Sequence, residues 1–243
     1  MFFYVSIVKE TMEMSCGDSC TRDVTVIVNN FARPHNLHTS LDKMKELSHV
    51  KDVIVLHGNP DTYTPFEGVK NVKHFEMNEK FGAANRFYGN DHVTTPYVMF
   101  VDDDVLPSNH TMEYLHKEVV HNPKTIHGPF GRTCNASGYA NGGPPDTVLT
   151  KALMTSKDVI DDYLSVFGSK YEDYLTITHG NGEDLTLNHF VKSTGQDPNP
   201  VRASLNGTVE LDGSNGYSTN ADGSRKPEHY KLRDKFCKTM YRR

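Results

Sequence analysis

Residues 97–108 read YVMFVDDDVLPS, and the reading of this stretch decides the fold. Five mostly apolar residues run directly into three consecutive aspartates. A short apolar run rich in β-branched and aromatic residues reads as a strand buried on both faces, which is the habit of parallel sheets. The same kind of run occurs twice upstream, as DVTVIVNN (23–30) and VKDVIVLHG (50–58). Between those two lies NLHTSLDKMKEL, which places Leu37, Leu41, Met44 and Leu47 at helical spacing behind Pro34. Strand, helix and strand joined by short loops predict βαβ units and a parallel sheet. A weaker third strand is expected over 68–77 (GVKNVKHFEM), with YVMFVDDD as the fourth.

Downstream, Ser108 is placed to cap a helix carrying Met112, Leu115 and Val119. A strand is predicted over 146–156, a capped helix over 156–167, and a short helix over 183–195 ended by Gly195. Two stretches, 131–146 and 192–228, read as long irregular loops, and loops of such length in a compact domain are usually functional. The predicted class is α/β: a mixed, mainly parallel sheet flanked by helices in a single domain. Its first half (22–104) would bind a nucleotide and its second (105–243) an acceptor.

Composition narrows the function. The chain has 243 residues, 36% hydrophobic and 23% charged, enough to bury a core without staples. A net charge of −5 offers no general basic field, so nucleic acid is a poor partner. The 13 histidines show no His-x-His or His-Glu-x-x-His spacing. Cys16 and Cys20 have no second Cys/His pair to complete a zinc site. Sequons stand at Asn109, Asn135 and Asn206, and matter only in a secreted protein. The opening MFFYVSIVKE holds an apolar run of about eight residues, too short to span a membrane and lacking a basic leader.

In open α/β sheets, ligands bind beyond the carboxyl ends of the strands, where the three aspartates lie. On an extended segment Asp102 and Asp104 would share one face and Asp103 the other. Converging carboxylates repel unless a cation lies between them. Hard oxygen ligands suit Mn²⁺ or Mg²⁺, which complete their shells with substrate phosphates. A solvated turn can also begin with acids. A second alternative is an aspartyl-phosphate-type metal phosphohydrolase, whose Asp-x-Asp motif DDDVL would match and whose first Asp is a nucleophile. That motif normally ends the first strand of its domain, whereas about a hundred residues precede it here.

Flanking signals favour a different family. The sequence reads NNFARP at 29–34, ANRF at 84–87, MFVDDDV at 99–105, NGED before LTLNHFV at 181–191, then GYS at 216–218 and HYKLRDKFC at 229–237. In this order the segments resemble the exostosin-like glycosyltransferases, from the Val24 strand to about Cys237. The resemblance implies a GT-A (Rossmann-like) fold and a Mn²⁺-dependent retaining enzyme. Its UDP-sugar donor would carry an N-acetylhexosamine or glucuronic acid, its acceptor would be a glycan hydroxyl, and the departures from the family pattern make a pentose such as xylose as admissible as a hexosamine. Carried over by position, Asn29, Arg33, Asn85 and Arg86 would hold the uridine diphosphate, and Asp102 and Asp103 would contact ribose and donor sugar. Asp104, with Asp102, would bind the metal. Asp184 would lie near the anomeric carbon, with Glu183 beside it as the candidate base of an inverting reaction, and Arg233 would reach the diphosphate. Tyr139 and Tyr217 are candidate stacking residues. The family's cysteine ahead of the acid pair is Gly182 here, which leaves Cys237 without that partner. Free thiols, or one bridge among the four cysteines, and a soluble cytoplasmic protein are expected, or a Golgi/ER lumenal one if an anchor has been removed.

Overall fold

The computed structural model describes residues 21–201, 205–214, 218–222, 224, 226–242. β1 (Val24–Asn30), β2 (Val50–His57), β3 (Lys70–Lys73) and β4 (Tyr97–Asp102) form the parallel part of one sheet. α1 (Pro34–Glu46) crosses from β1 to β2; Pro34 suits its first position, where no amide hydrogen bond is lost. β3 is an edge strand of four residues, and the chain turns helical straight after it as α2 (Phe75–Phe81). The strand expected over 68–77 is thus less than half that length, because only Val72 supplies apolar burial at the edge. A tight turn leads into α3 (Asn85–Tyr88).

Beyond β4, β5 (Val105–Leu106) is followed by α4 (Asn109–His121), whose Thr111 amide donates to the Ser108 hydroxyl at 3.1 Å, as the cap signal predicts. β6 (His127–Gly128) leads to a hairpin of β7 (Gly131–Asn135) and β8 (Gly138–Ala140), and β9 (Thr147–Val148) pairs back on β7. The stretch 131–146, expected to be irregular, therefore carries sheet; its Gly, Asn and Pro content marks the turns and hides the strands. The single strand expected over 146–156 is two, β9 and β10 (Ala152–Ser156), split by a bend at 149–151. α5 (Lys157–Lys170), α6 (Glu172–Ile177) and α7 (Glu183–Ser193) follow, then β11 (Asn199–Pro200), β12 (Val209–Glu210) and α8 (Pro227–Met240).

The main sheet has seven strands in the order β11-β6-β10-β4-β1-β2-β3, with β10 antiparallel to its neighbours. β4 lies at its centre and sends alternate residues to two cores. Val98 and Phe100 join Ile27, Phe87, Leu153 and Tyr163 beneath α3 and α5. Met99 and Val101 join Val26, Leu37, Met44 and Met112 beneath α1 and α4. All four β4 side chains are buried, each contributing roughly 1.5–3 kcal/mol. This double burial fixes β4 in depth, so its C-terminal aspartates emerge at a defined point on the sheet rim.

One expectation fails here. Cys134 on β7 is disulfide-bonded to Cys237 on α8, so Cys237 is not a free thiol. The sequence offered no sign of this pairing because 103 residues separate the partners. A bridged cysteine also removes the argument for a reducing compartment. Cys16, Cys20 and Tyr217 lie outside the described residues. Among the described residues, no helix is long and apolar enough to cross a membrane.

Candidate active site

A cleft of about 250 Å³ opens over the C-terminal ends of β1 and β4. The two central strands bring Asn29 and Asp102 side by side in register. β4 ends at Asp102, and Asp103 and Asp104 turn away from the extended path. The strict alternation expected of the triplet is therefore lost, and all three aspartates line the cleft.

Each acid meets at least one cation. Arg86 on α3 donates from Nη2 to Asp102 at 2.7 Å, and its other nitrogens donate to the carbonyls of Ala83 and Thr150. Arg33, just ahead of α1, donates to Asp103 and, at 3.3 Å, to Asp104. Lys151 places Nζ 3.5 Å from Asp104 Oδ1 and 2.8 Å from Glu210 on β12. At 3.5 Å the Lys151 contact is too long for a good hydrogen bond, and Asp104 Oδ1 is buried without a hydrogen-bond partner. Burial pushes the Asp103 carboxyl up to about 6, against the opposing pull of Arg33. Burial and then the Asp102 charge raise Asp104, against Lys151 and Arg33. Three crowded carboxylates with an orphaned buried oxygen suit a divalent cation: Asp104 and Asp102 are the residues that could hold it.

The opposite wall comes from α7 and α8. Gly182 takes φ 101°, a left-handed conformation that aims the first turn of α7 into the cleft. Asp184 there is ion-paired with Arg233 of α8, and both are almost fully buried. Glu183 accepts from the Thr150 hydroxyl at 2.7 Å. Its carboxyl is held up first by burial and then by Asp184. The Tyr139 ring of β8 lies 4.7 Å from the Arg233 guanidinium, a cation–π contact. His229, one turn before Arg233, is pulled down to about 4 by burial and by the Arg233 charge.

The structure thus gathers Asn29, Arg33, Asn85, Arg86, Asp102, Asp103, Asp104, Glu183, Asp184 and Arg233 around one cleft. Arg33 and Arg86 point their guanidinia at aspartates, and Arg233 is committed to Asp184. Sequence reasoning missed Lys151 and Arg132, which also line the cleft. Neither belongs to a motif; Lys151 gains its place because the β9–β10 bend turns it towards Asp104.

A seven-stranded, mainly parallel sheet with an acid cluster at the end of its central strand is the arrangement of the GT-A fold. The mannosyltransferase PcManGT from Pyrobaculum calidifontis, in complex with GDP-Man and Mn²⁺, superposes with a TM-score of 0.51 and 14% identity. The match covers 74% of this chain and 55% of that one, so this chain spans little more than half of that relative. The profile of the glycosyl transferase family 64 domain matches residues 24–243, and the chain belongs to that family. No curated protein matches it. Family membership leaves the phosphohydrolase reading of DDDVL without support.

Proposed function

We propose that this glycosyltransferase moves a hexosamine- or xylose-type sugar from a UDP-sugar donor to a glycan hydroxyl, with retention and with Mn²⁺ or Mg²⁺ bound. The observation that carries the proposal is the orphaned oxygen of Asp104 within the acid triplet, at the point where the central strand meets the cleft. The mannosyltransferase relative binds a nucleotide sugar and Mn²⁺ on the same fold, and the motif order of the exostosin-like enzymes supports the UDP donor. Residues 22–104 would supply the nucleotide side and residues 105–243 the acceptor side.

A divalent cation held by Asp104 and Asp102 would supply neutralisation of the charge that develops on the leaving diphosphate. Arg33, which lines the cleft beside Asp103 and Asp104, would donate to phosphate oxygens in the bidentate manner of arginine. In the reaction the bond from the anomeric carbon to the phosphate oxygen breaks and its electron pair stays on the diphosphate. The acceptor hydroxyl oxygen attacks that carbon from the same face, and its proton passes to a diphosphate oxygen. Asp184, its carboxylate fixed by Arg233, would stabilise the positive charge that grows on the sugar ring. Glu183 is tied to Thr150 and is the poorer candidate for a mobile base.

The test is turnover of a sugar-nucleotide panel (UDP-xylose, UDP-glucose, UDP-GlcNAc, UDP-GalNAc, UDP-glucuronate and GDP-mannose), with Asp104→Ala as control. One UDP-sugar should be hydrolysed or transferred only with Mn²⁺ or Mg²⁺, and the first-formed product should keep the donor's anomeric configuration. Preference for GDP-mannose, or metal-independent turnover retained by Asp104→Ala, would overturn the reading.

A further inference from the structure

At the other end of the sheet from the cleft, four side chains converge from three segments distant in sequence. Asp23 immediately precedes β1, His49 immediately precedes β2, and Glu113 and His116 stand one turn apart on α4. His116 Nε2 lies 2.9 Å from Asp23 Oδ1, and His49 Nε2 lies 3.1 Å from Glu113 Oε2. The two imidazoles stack with centroids 3.6 Å apart and planes within 6°. One ligand atom each from Asp23, His49 and His116 all fall within 4.8 Å of one another. None of these residues lines the cleft.

The hydrogen-bonding of His49 is in conflict. Its Nδ1 lies 2.9 Å from the carbonyl oxygen of Thr21, which can only accept, so Nδ1 carries the proton. Its Nε2 faces a carboxylate, which when ionised also only accepts. A neutral imidazole has one N–H and cannot satisfy both. Either the ring is an imidazolium, or its Nε2 lone pair and the Glu113 carboxylate share a cation. His116 turns its Nε2 to Asp23, and two imidazoliums stacked at this distance would repel. The backbone holds the residues in place. His49 sits at φ 65°, uncommon for a residue with a side chain, while its carbonyl accepts from both the Asp23 and Val24 amides.

We propose that Asp23, His49 and His116 form a second metal site, taking a borderline divalent transition ion such as Zn²⁺, with Glu113 beside it against His49. Two imidazole nitrogens and one carboxylate oxygen make a three-ligand protein set of the kind zinc accepts. It differs from the all-oxygen cleft, which suits Mn²⁺ or Mg²⁺. Zinc ligands lie about 2.0–2.2 Å from the ion, so the loaded site draws the three groups inward and splays the stacked rings. The ion would join the start of β1, the turn before β2 and α4. The competing arrangement is a lone imidazolium over a neutral ring, with no metal.

The experiment adds Zn²⁺ alone, and separately Co²⁺ alone, to the metal-stripped full chain. Zn²⁺ at a hundredfold excess over its Kd should raise Tm by about 5–10 °C. Co²⁺ should give the strong visible absorption of a four-coordinate site with nitrogen ligands. The His49→Gln/His116→Gln double variant should lose both. Should that variant fail to fold, Asp23→Asn alone should weaken Zn²⁺ by at least about 100-fold. The proposal is overturned if Zn²⁺ leaves Tm unmoved or Co²⁺ stays pale and octahedral. It is equally overturned if the Tm shift survives loss of the histidines and disappears in Asp104→Asn, which would place the ion in the cleft.

Discussion

Asp184 and Arg233 hold each other inside the cleft, each almost closed to water. Removing one partner leaves a buried charge unpaired, which typically costs about 3–5 kcal/mol. Arg233→Ala should therefore lower the free energy of unfolding, read from urea titration, by that much. Arg233→Lys should fold more nearly as the wild type yet lose about 100-fold in kcat, because an ammonium does not reproduce the guanidinium fork. His229 gives a pH prediction with a definite sign. Its folded pKa lies near 4, below the ordinary value of 6.5, through burial and then the Arg233 charge. The neutral ring thus favours the folded state at pH above 6.5, and that stability is lost as pH falls through 6.5 towards 4. The ring is partly exposed, so the loss comes to about 1–2 kcal/mol after screening. Urea unfolding at pH 7 and pH 5 should show a smaller drop for His229→Gln than for wild type. At this scale the sequence carried the acid triplet and, through motif order, Asp184 and Arg233. It carried no sign of Lys151 or of the His49–His116 stack, whose partners meet only because parallel strands and α4 return to the same end of the sheet.

The elements that form the cleft are pressed together where side chains have no room. Gly82, at the turn before α3, has φ 51°, and a Cβ there would stand 1.8 Å from the His179 carbonyl oxygen. Gly180 has φ 77°, and a Cβ there would stand 2.2 Å from the Phe81 carbonyl oxygen. The two turns thus need glycine on both sides to carry Arg86 and Asp184 into one cleft. Gly180→Ala should destabilise by more than 2 kcal/mol, on the order of other strained left-handed substitutions. Gly142→Ala, where nothing lies within 4 Å, should be nearly neutral. Thermal melts of the two variants decide this. The Cys134–Cys237 bridge ties the β7–β8 hairpin to α8, and hence Tyr139 to Arg233. Cys134→Ser should cost about 2–5 kcal/mol, seen as a lower Tm that reductant no longer changes. β1, β2 and β4 were legible because continuous β-branched runs have few other uses. β3 was overdrawn because Phe75 and Met77 continue an apolar pattern that the chain in fact spends on α2. The β7–β8 hairpin was hidden because its residues also compose loops.

For the whole molecule, the sheet order places β4 between β1 and the antiparallel β10, so residues from both ends of the chain converge on one rim. That convergence explains why an acid triplet at position 102–104 can be neutralised by Arg33, Arg86 and Lys151 together. The most direct test is calorimetric titration of UDP into the metal-stripped protein with and without Mn²⁺, in wild type and in Asp104→Asn. Wild type should bind UDP at least about tenfold tighter with Mn²⁺ present, a coupling of about 1.4 kcal/mol or more, and Asp104→Asn should lose that gain. Equal UDP affinity with and without Mn²⁺, or a Mn²⁺ gain undiminished in Asp104→Asn, would contradict the account.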